Sequence, residues 1–241
     1  LIGGQACIFY GAAEFSRDAD IAILASHKNM QRLANALKEL KARCIAVPDF
    51  SLKYLKRGHA IHFRCYRQDI KGIRIDVMSV MRGGDTFRKL WQRRTTINIH
   101  GDEKYELISL PDLVRIKKTQ RDKDWPMIRR LVEAHYFQYN KNPAPEQIDF
   151  WFRELRTPSI LINLAGKYPS YLNRLKRQRP LLEMCIIKDI KGLEEAIEDE
   201  EKRERESDKI YWSTLVKELE QMRHDRLKHK LTRTRRRGCK K

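Results

Sequence analysis

The chain lacks any apolar run near the roughly 18 residues that a membrane-spanning helix needs. Its best candidate, 21–25, has the length of a strand. It also lacks a Cys-x-x-Cys pair. Five cysteines stand at positions 7, 44, 65, 185 and 239, odd in number and far apart. A disulfide framework and a zinc knuckle are therefore not expected, and a reducing, cytoplasmic setting is. The one His-x-x-His, at His59 and His62, has no third ligand at metal spacing and reads as structural. There is no internal repeat and no signal-peptide pattern. The chain opens on Leu1 rather than methionine, so a segment ahead of it, targeting included, stays open. Acid is scarce: 32 Asp and Glu face 51 Lys and Arg, a net charge of +19. Apolar residues at 41% are too many for a disordered chain, and charged residues at 34% too many for a membrane protein. With 241 residues, the chain can bury a sizeable core as one domain with a second lobe.

The positive excess favours an anionic partner, nucleic acid or nucleotide phosphate. It is unevenly spread. Residues 221–241 hold ten bases and one acid, whereas 194–206 hold eight acids and three bases. Two readings stand side by side: a solvated helix that ends in a fraying basic tail, or an electrostatic arm that follows a phosphate backbone.

Periodicity places the elements. The opening Leu-Ile-Gly-Gly reads as the end of a buried strand, with a helix starting at Gln5 and closing at Gly11. Residues 18–24 alternate as a strand that sets Asp18 and Asp20 on one face. Residues 29–42 form an amphipathic helix. Strands are expected at 60–66 and 73–80, and an edge hairpin at 95–99 and 105–108 around His100, Gly101 and Asp102. Pro111 opens one helix and Pro126 stands in the first turn of another that runs to about 137. Residues 140–145 are the best linker. Helices broken at Pro158, Pro169 and Pro180 follow, and a last one covers 190–230. The expected fold class is thus a mixed α/β (α+β) segment to about residue 110, a helix pair at 111–139, and an all-helical region at 146–241 with a basic tail.

Three pieces carry chemistry when taken together. Gly3 and Gly4 let a phosphate approach the backbone. Asp18 and Asp20, two apart on a strand, stand about 6 to 7 Å apart at Cα, close enough to converge on divalent ions. Asp76 sits among apolar neighbours on another strand, where a lone carboxylate is costly to bury. A shared metal site relieves that cost; so does a salt bridge to Arg74. Lys117 and Lys118 could meet phosphate or form a solvated basic face. Arg64 could reach the site floor or pair with a core acid. Trp91 and Trp125 read as core or lobe-interface residues. Ser16 could orient Asp18, touch phosphate, or cap the strand.

The run Gly3-Gly4-Gln5-Ala6, then Tyr10-Gly11, then Ser16-x-Asp18-x-Asp20-Ile21 resembles the signature of the nucleotidyltransferase superfamily, with its polymerase-β-like palm. The likeness is to the small bacterial members, including those that act as toxins in toxin–antitoxin pairs. Asp76, within Arg74-Ile75-Asp76-Val77-Met78-Ser79, matches the third acid of the pattern. The later stretch with Lys117-Lys118-Thr119 and Arg121-Asp122-Lys123-Asp124 is similar to the helix pair that follows the palm. The likeness spans about residues 1–137. Two positions depart from it: Glu14 stands where an arginine is frequent, and Gly4 where many members have a phosphate-binding serine.

The resemblance implies transfer of an NMP from an NTP to an acceptor hydroxyl. It implies Asp18, Asp20 and Asp76 as catalytic residues and ligands of two Mg²⁺ ions. Gly3, Gly4, Ser16, Lys117 and Lys118 would bind the nucleotide. NTP, tRNA or other RNA, and an acidic antitoxin protein are the implied partners, with no membrane. The alternative is a binding module without chemistry that docks RNA or a partner protein.

Overall fold

The structure, a computed structural model, describes residues 1–99, 101 and 103–238, with side chains described to residue 228. It is a mixed α+β chain with a small mixed sheet and a helical C-terminal region. The sheet-bearing segment runs α1 (Gly3–Phe9), β1 (Asp18–Ala22), α2 (His27–Glu39), β2 (Arg43–Cys44), α3 (Leu52–Arg57), β3 (Ile61–Arg64), β4 (Arg74–Met78), α4 (Phe87–Gln92), β5 (Thr95–Asn98) and β6 (Lys104–Leu107). Then follow α5 (Leu110–Ile116), α6 (Asp124–Tyr139), α7 (Pro145–Glu154), α8 (Pro158–Lys167), α9 (Pro169–Leu175), α10 (Met184–Ile187) and α11 (Ile190–Gly238). Among the described residues no helix is long and apolar enough to cross a membrane.

Four strands form one sheet in the order β1-β4-β3-β2, with β1 parallel to β4 and the other pairs antiparallel. The expected hairpin forms, but β5 and β6 make a separate two-stranded sheet rather than an edge of the first. His100 and Asp102 at its tip lie outside the described residues. The opening residues also depart from expectation. Helix α1 starts at Gly3, not Gln5, so the two glycines are its first turn. Ahead of them the backbone is extended: the Ile2 N–H donates to the Asp20 carbonyl at 2.9 Å, and the Ile108 N–H to the Leu1 carbonyl at 2.9 Å. Leu1 and Ile2 thus bridge β1 to the end of β6. Helix α2 starts two residues early because the Ser26 hydroxyl caps it, accepting from the Asn29 N–H at 3.3 Å. It ends before residue 42 because Lys41 turns left-handed, at φ 49°.

Alternation along the strands gives the sheet two faces. Ile61, Phe63, Val77 and Ile23 pack on one face with Leu37 of α2 and Leu55 of α3. The opposite face carries Asp18, Asp20 and Asp76. One step along from the last two, Ala22 and Met78 meet the larger core built on Ile2, Ala6, Cys7, Leu113, Trp125 and the later helices. That core runs without a break across 140–145: Ile128 and Leu131 of α6 share it with Trp151 and Phe152 of α7. Trp125 is buried, as expected of a core residue, whereas Trp91 is 45% exposed with the Arg94 guanidinium 4.2 Å from its ring centre.

Helix α11 has 49 residues, about 74 Å at 1.5 Å per residue. Leu193 and Ile197 anchor its first turns in the main core, and Leu215 is buried further on. Its acidic block is not merely a solvated face. Glu200 pairs with Arg179 at 2.8 Å and with Arg156 at 3.1 Å, and Glu204 pairs with Arg82 at 2.9 Å. Arg156 is 1% exposed, and a buried guanidinium requires such partners. Beyond Leu215, Glu218 accepts from Arg57 Nε at 2.9 Å and faces His59 Nε2 at 2.8 Å. The hydrogen bond from Arg57, then that from His59, hold its carboxyl at about 2. A depressed carboxylate stabilises above its unfolded value, and that contribution is lost as pH falls through the folded one. Glu218→Gln is therefore expected to speed amide exchange in the turns around Leu215 at neutral pH. At pH approaching 2 the variant and the wild type should converge. Equal exchange at neutral pH would show that this pair does not hold the helix down.

Candidate active site

The parallel register sets Asp20 directly beside Asp76, and Asp18 beside Arg74. Partners in register share a face, so the three acids stand together on one side of the sheet although 56 residues separate Asp20 from Asp76. Helix α1 begins immediately over them. The Gly4 N–H donates to Asp20 Oδ2 at 3.2 Å. Gly3 has φ +62°, and a Cβ there would stand 2.0 Å from the same oxygen. A Cβ on Gly4 would stand 2.5 Å from Ser16 Oγ. Gly3 is thus required by conformation and contact together, whereas a side chain at Gly4 would force Ser16 to move. Ser16 donates to the Asp18 carbonyl at 3.0 Å, which fixes the entry to β1.

The three carboxylates differ in partners. Asp76 is 7% exposed. Its Oδ1 is 2.8 Å from His62 Nδ1 and accepts from Arg74 Nε at 2.8 Å, while its Oδ2 accepts from Arg74 Nη2 at 2.5 Å. Burial pushes this carboxyl up, but the hydrogen bonds from His62 and Arg74 outweigh burial and hold it below the ordinary Asp range. Asp20 goes the other way. Burial raises it; the Gly4 N–H opposes that, and the charges of Asp76 and Asp18 raise it further. Asp18 and Asp20 have no ion-pair partner within direct contact among the described residues.

The two lysines diverge. Lys117 is 6% exposed and its ammonium sits 2.9 Å from Asp124, which Arg121 and Thr119 also hold. Its charge opposes the burial that raises Cys7 and Asp20, and it is buried rather than projecting from a free face. Lys118 turns to the helical region, 2.8 Å from Glu154. It lines a cavity of about 210 Å³ with Phe152, Arg179 and Glu200.

Magnesium favours hard oxygen ligands, which Asp18, Asp20 and Asp76 are. Among the described residues no group of three or more His, Cys, Asp and Glu side chains is poised to hold a metal ion as it stands. At Asp76 both oxygens are turned to Arg74 and His62. Asp18 and Asp20 are free to take a cation, and the like charge around Asp20 is the feature a cation would relieve. The chemistry of the donor set fits; full three-carboxylate ligation requires Asp76 to release one of its two partners.

Sequence reasoning did not foresee the His62 contact with Asp76. The alternation of β3 was the available signal, since it sets His62 on the face opposite Ile61 and Phe63. The Arg74 contact was one of the two alternatives left open. No protein-family model matches this chain, and no curated protein matches it.

Proposed function

We propose that this chain is a Mg²⁺-dependent nucleotidyltransferase with a polymerase-β-like palm, moving an NMP from an NTP to an acceptor hydroxyl. The observation that carries the reading is the convergence of Asp18, Asp20 and Asp76 on one sheet face beneath the Gly3-Gly4 corner. In the reaction the acceptor oxygen bonds to the α-phosphorus. The bond from that phosphorus to the bridging oxygen breaks, pyrophosphate leaves, and the hydroxyl proton passes to solvent. Asp18 and Asp20 would hold Mg²⁺, with Asp76 joining once it releases a partner. The ion would supply charge stabilisation for the attacking and leaving oxygens. Arg74 and His62 orient Asp76 and keep it ionised. The absence of side chains at Gly3 and Gly4 lets Asp20 and Ser16 pack against the first turn of α1, which would hold the Asp20 carboxylate in place for a nucleotide-bound ion. Lys117, held by Asp124, lends positive charge near Asp20.

The test is a panel of the four NTPs labelled at the α-phosphate, offered with total RNA and total protein. Label is expected on one acceptor class, to vanish with EDTA and with Asp18→Asn. Silence with every NTP and both acceptor classes overturns the reading. A second reading, a palm-like scaffold that binds RNA or an acidic partner such as an antitoxin without chemistry, is favoured by the hydrogen bonds that already occupy Asp76. It expects that silence together with intact binding.

A further inference from the structure

Beside the acids, the same sheet face carries a row of like charge. The register sets Asp18 opposite Arg74, Arg74 opposite Arg64, and Arg64 opposite Arg43. The row crosses from β1 to the β2 edge. Only its first arginine is neutralised, by Asp76. Arg64 is exposed and has no hydrogen bond or ion pair among the described residues. Arg43 is exposed and lies over the Tyr66 ring, 5.4 Å from its centre, and Tyr66 is itself 44% exposed. Like charges directly opposite on antiparallel strands oppose folding, so nothing in the stability of this sheet calls for the row.

We infer that the acceptor is a single-stranded nucleic acid, an RNA end, whose phosphates follow Arg64 and Arg43, beyond the neutralised Arg74, and one of whose bases stacks on Tyr66. The inference rests on the nucleotidyltransferase reading for the fate of the strand's terminal hydroxyl, which would displace pyrophosphate as above. Its binding part stands on the row alone. Arg64 and Arg43 are direct cross-strand partners, about 5 Å apart at Cα, and their long side chains splay far enough to meet successive phosphates. Guanidinium forks match phosphate oxygens two at a time. An acidic peptide would meet the charge but would offer no base to the ring. Exposed aromatic side chains beside a basic track are how single strands are held without sequence readout.

The experiment uses the full chain and a short mixed-sequence single-stranded RNA, with binding measured by fluorescence anisotropy in EDTA across a salt series. The double variant Arg43→Ser, Arg64→Ser is expected to melt at or above the wild-type temperature. It should flatten the slope of log K against log[salt] by about 1.4, since each phosphate that goes unneutralised removes about 0.7. Tyr66→Ala is expected to weaken binding about tenfold with the slope unchanged. An unaltered slope and affinity in the double variant overturn the inference. In the labelling panel, transfer to protein and not RNA overturns it while leaving the enzyme intact. RNA binding that depends on the row, with no transfer to anything, supports the binding track and removes the catalytic reading instead.

Discussion

Replacing Asp20 with Asn is expected to abolish nucleotide transfer and, in metal-free buffer, to raise the melting temperature. The two effects share one cause. Asp20 is set beside Asp76 and near Asp18, with one backbone N–H as its hydrogen-bond donor. Burial, then the neighbouring carboxylates, raise its pKa against the opposing Gly4 hydrogen bond. A carboxyl raised on folding costs stability as pH climbs above its unfolded value, and costs the full amount above its folded one, so the gain in the Asn variant grows with pH and fades toward acid. Asn keeps an oxygen for the Gly4 N–H and loses the charge. Charge stabilisation by a bound metal is worth several kcal/mol, so transfer should fall on the order of a thousandfold or more. Initial rates with labelled NTP and thermal melting in EDTA check both. A variant that melts lower and transfers normally would make Asp20 a structural cap for α1.

Asp124→Asn should be among the most destabilising polar substitutions in the chain. Asp124 is 1% exposed and receives Lys117, Arg121 and Thr119. Removing its charge leaves the Lys117 ammonium buried with no direct counter-ion, at a cost of about 3–5 kcal/mol. Lys117→Met should cost less, because Asp124 keeps two donors. Burial pushes the Asp124 carboxyl up, but Lys117 first, then Thr119 and Arg121, bring it below 3.8. Its contribution is therefore present above the unfolded value and is lost as pH falls through the folded one. Urea unfolding followed from neutral pH to below 3.8 should show the wild type losing stability across that window and Asp124→Asn losing less. Equal costs for the two substitutions would mean that Lys117 finds another partner. A normal fold with lost nucleotide affinity in Lys117→Met would return that lysine to the phosphate.

Strands β1, β3 and β4 were legible from alternation because each has one face toward apolar neighbours: 18–22, 61–64 and 74–78 lie within the expected ranges, whereas the two-residue β2 was not foreseen. Helix α6 was legible from Asp124 and Pro126, which fit a helix's first turn. The start of α1 was not. Two glycines suggest a turn, and their helical placement depends on Asp20 and Ser16, which approach from elsewhere in the chain. The partners of the 194–206 acids were equally hidden, since Arg82, Arg156 and Arg179 lie far from them in sequence.

By itself the sequence determined the residue types and the local faces: two carboxylates on one face of β1, a third on β4, and two glycines ahead of a helix. Tertiary structure decided what met what. Pairing of β1 with β4 brought residue 76 beside residue 20, and the close of the helical core buried Lys117 against Asp124 and turned Lys118 to Glu154. Period and propensity act over a few residues, whereas strand register and the pairing of buried charges are settled only when distant segments exclude water from one another.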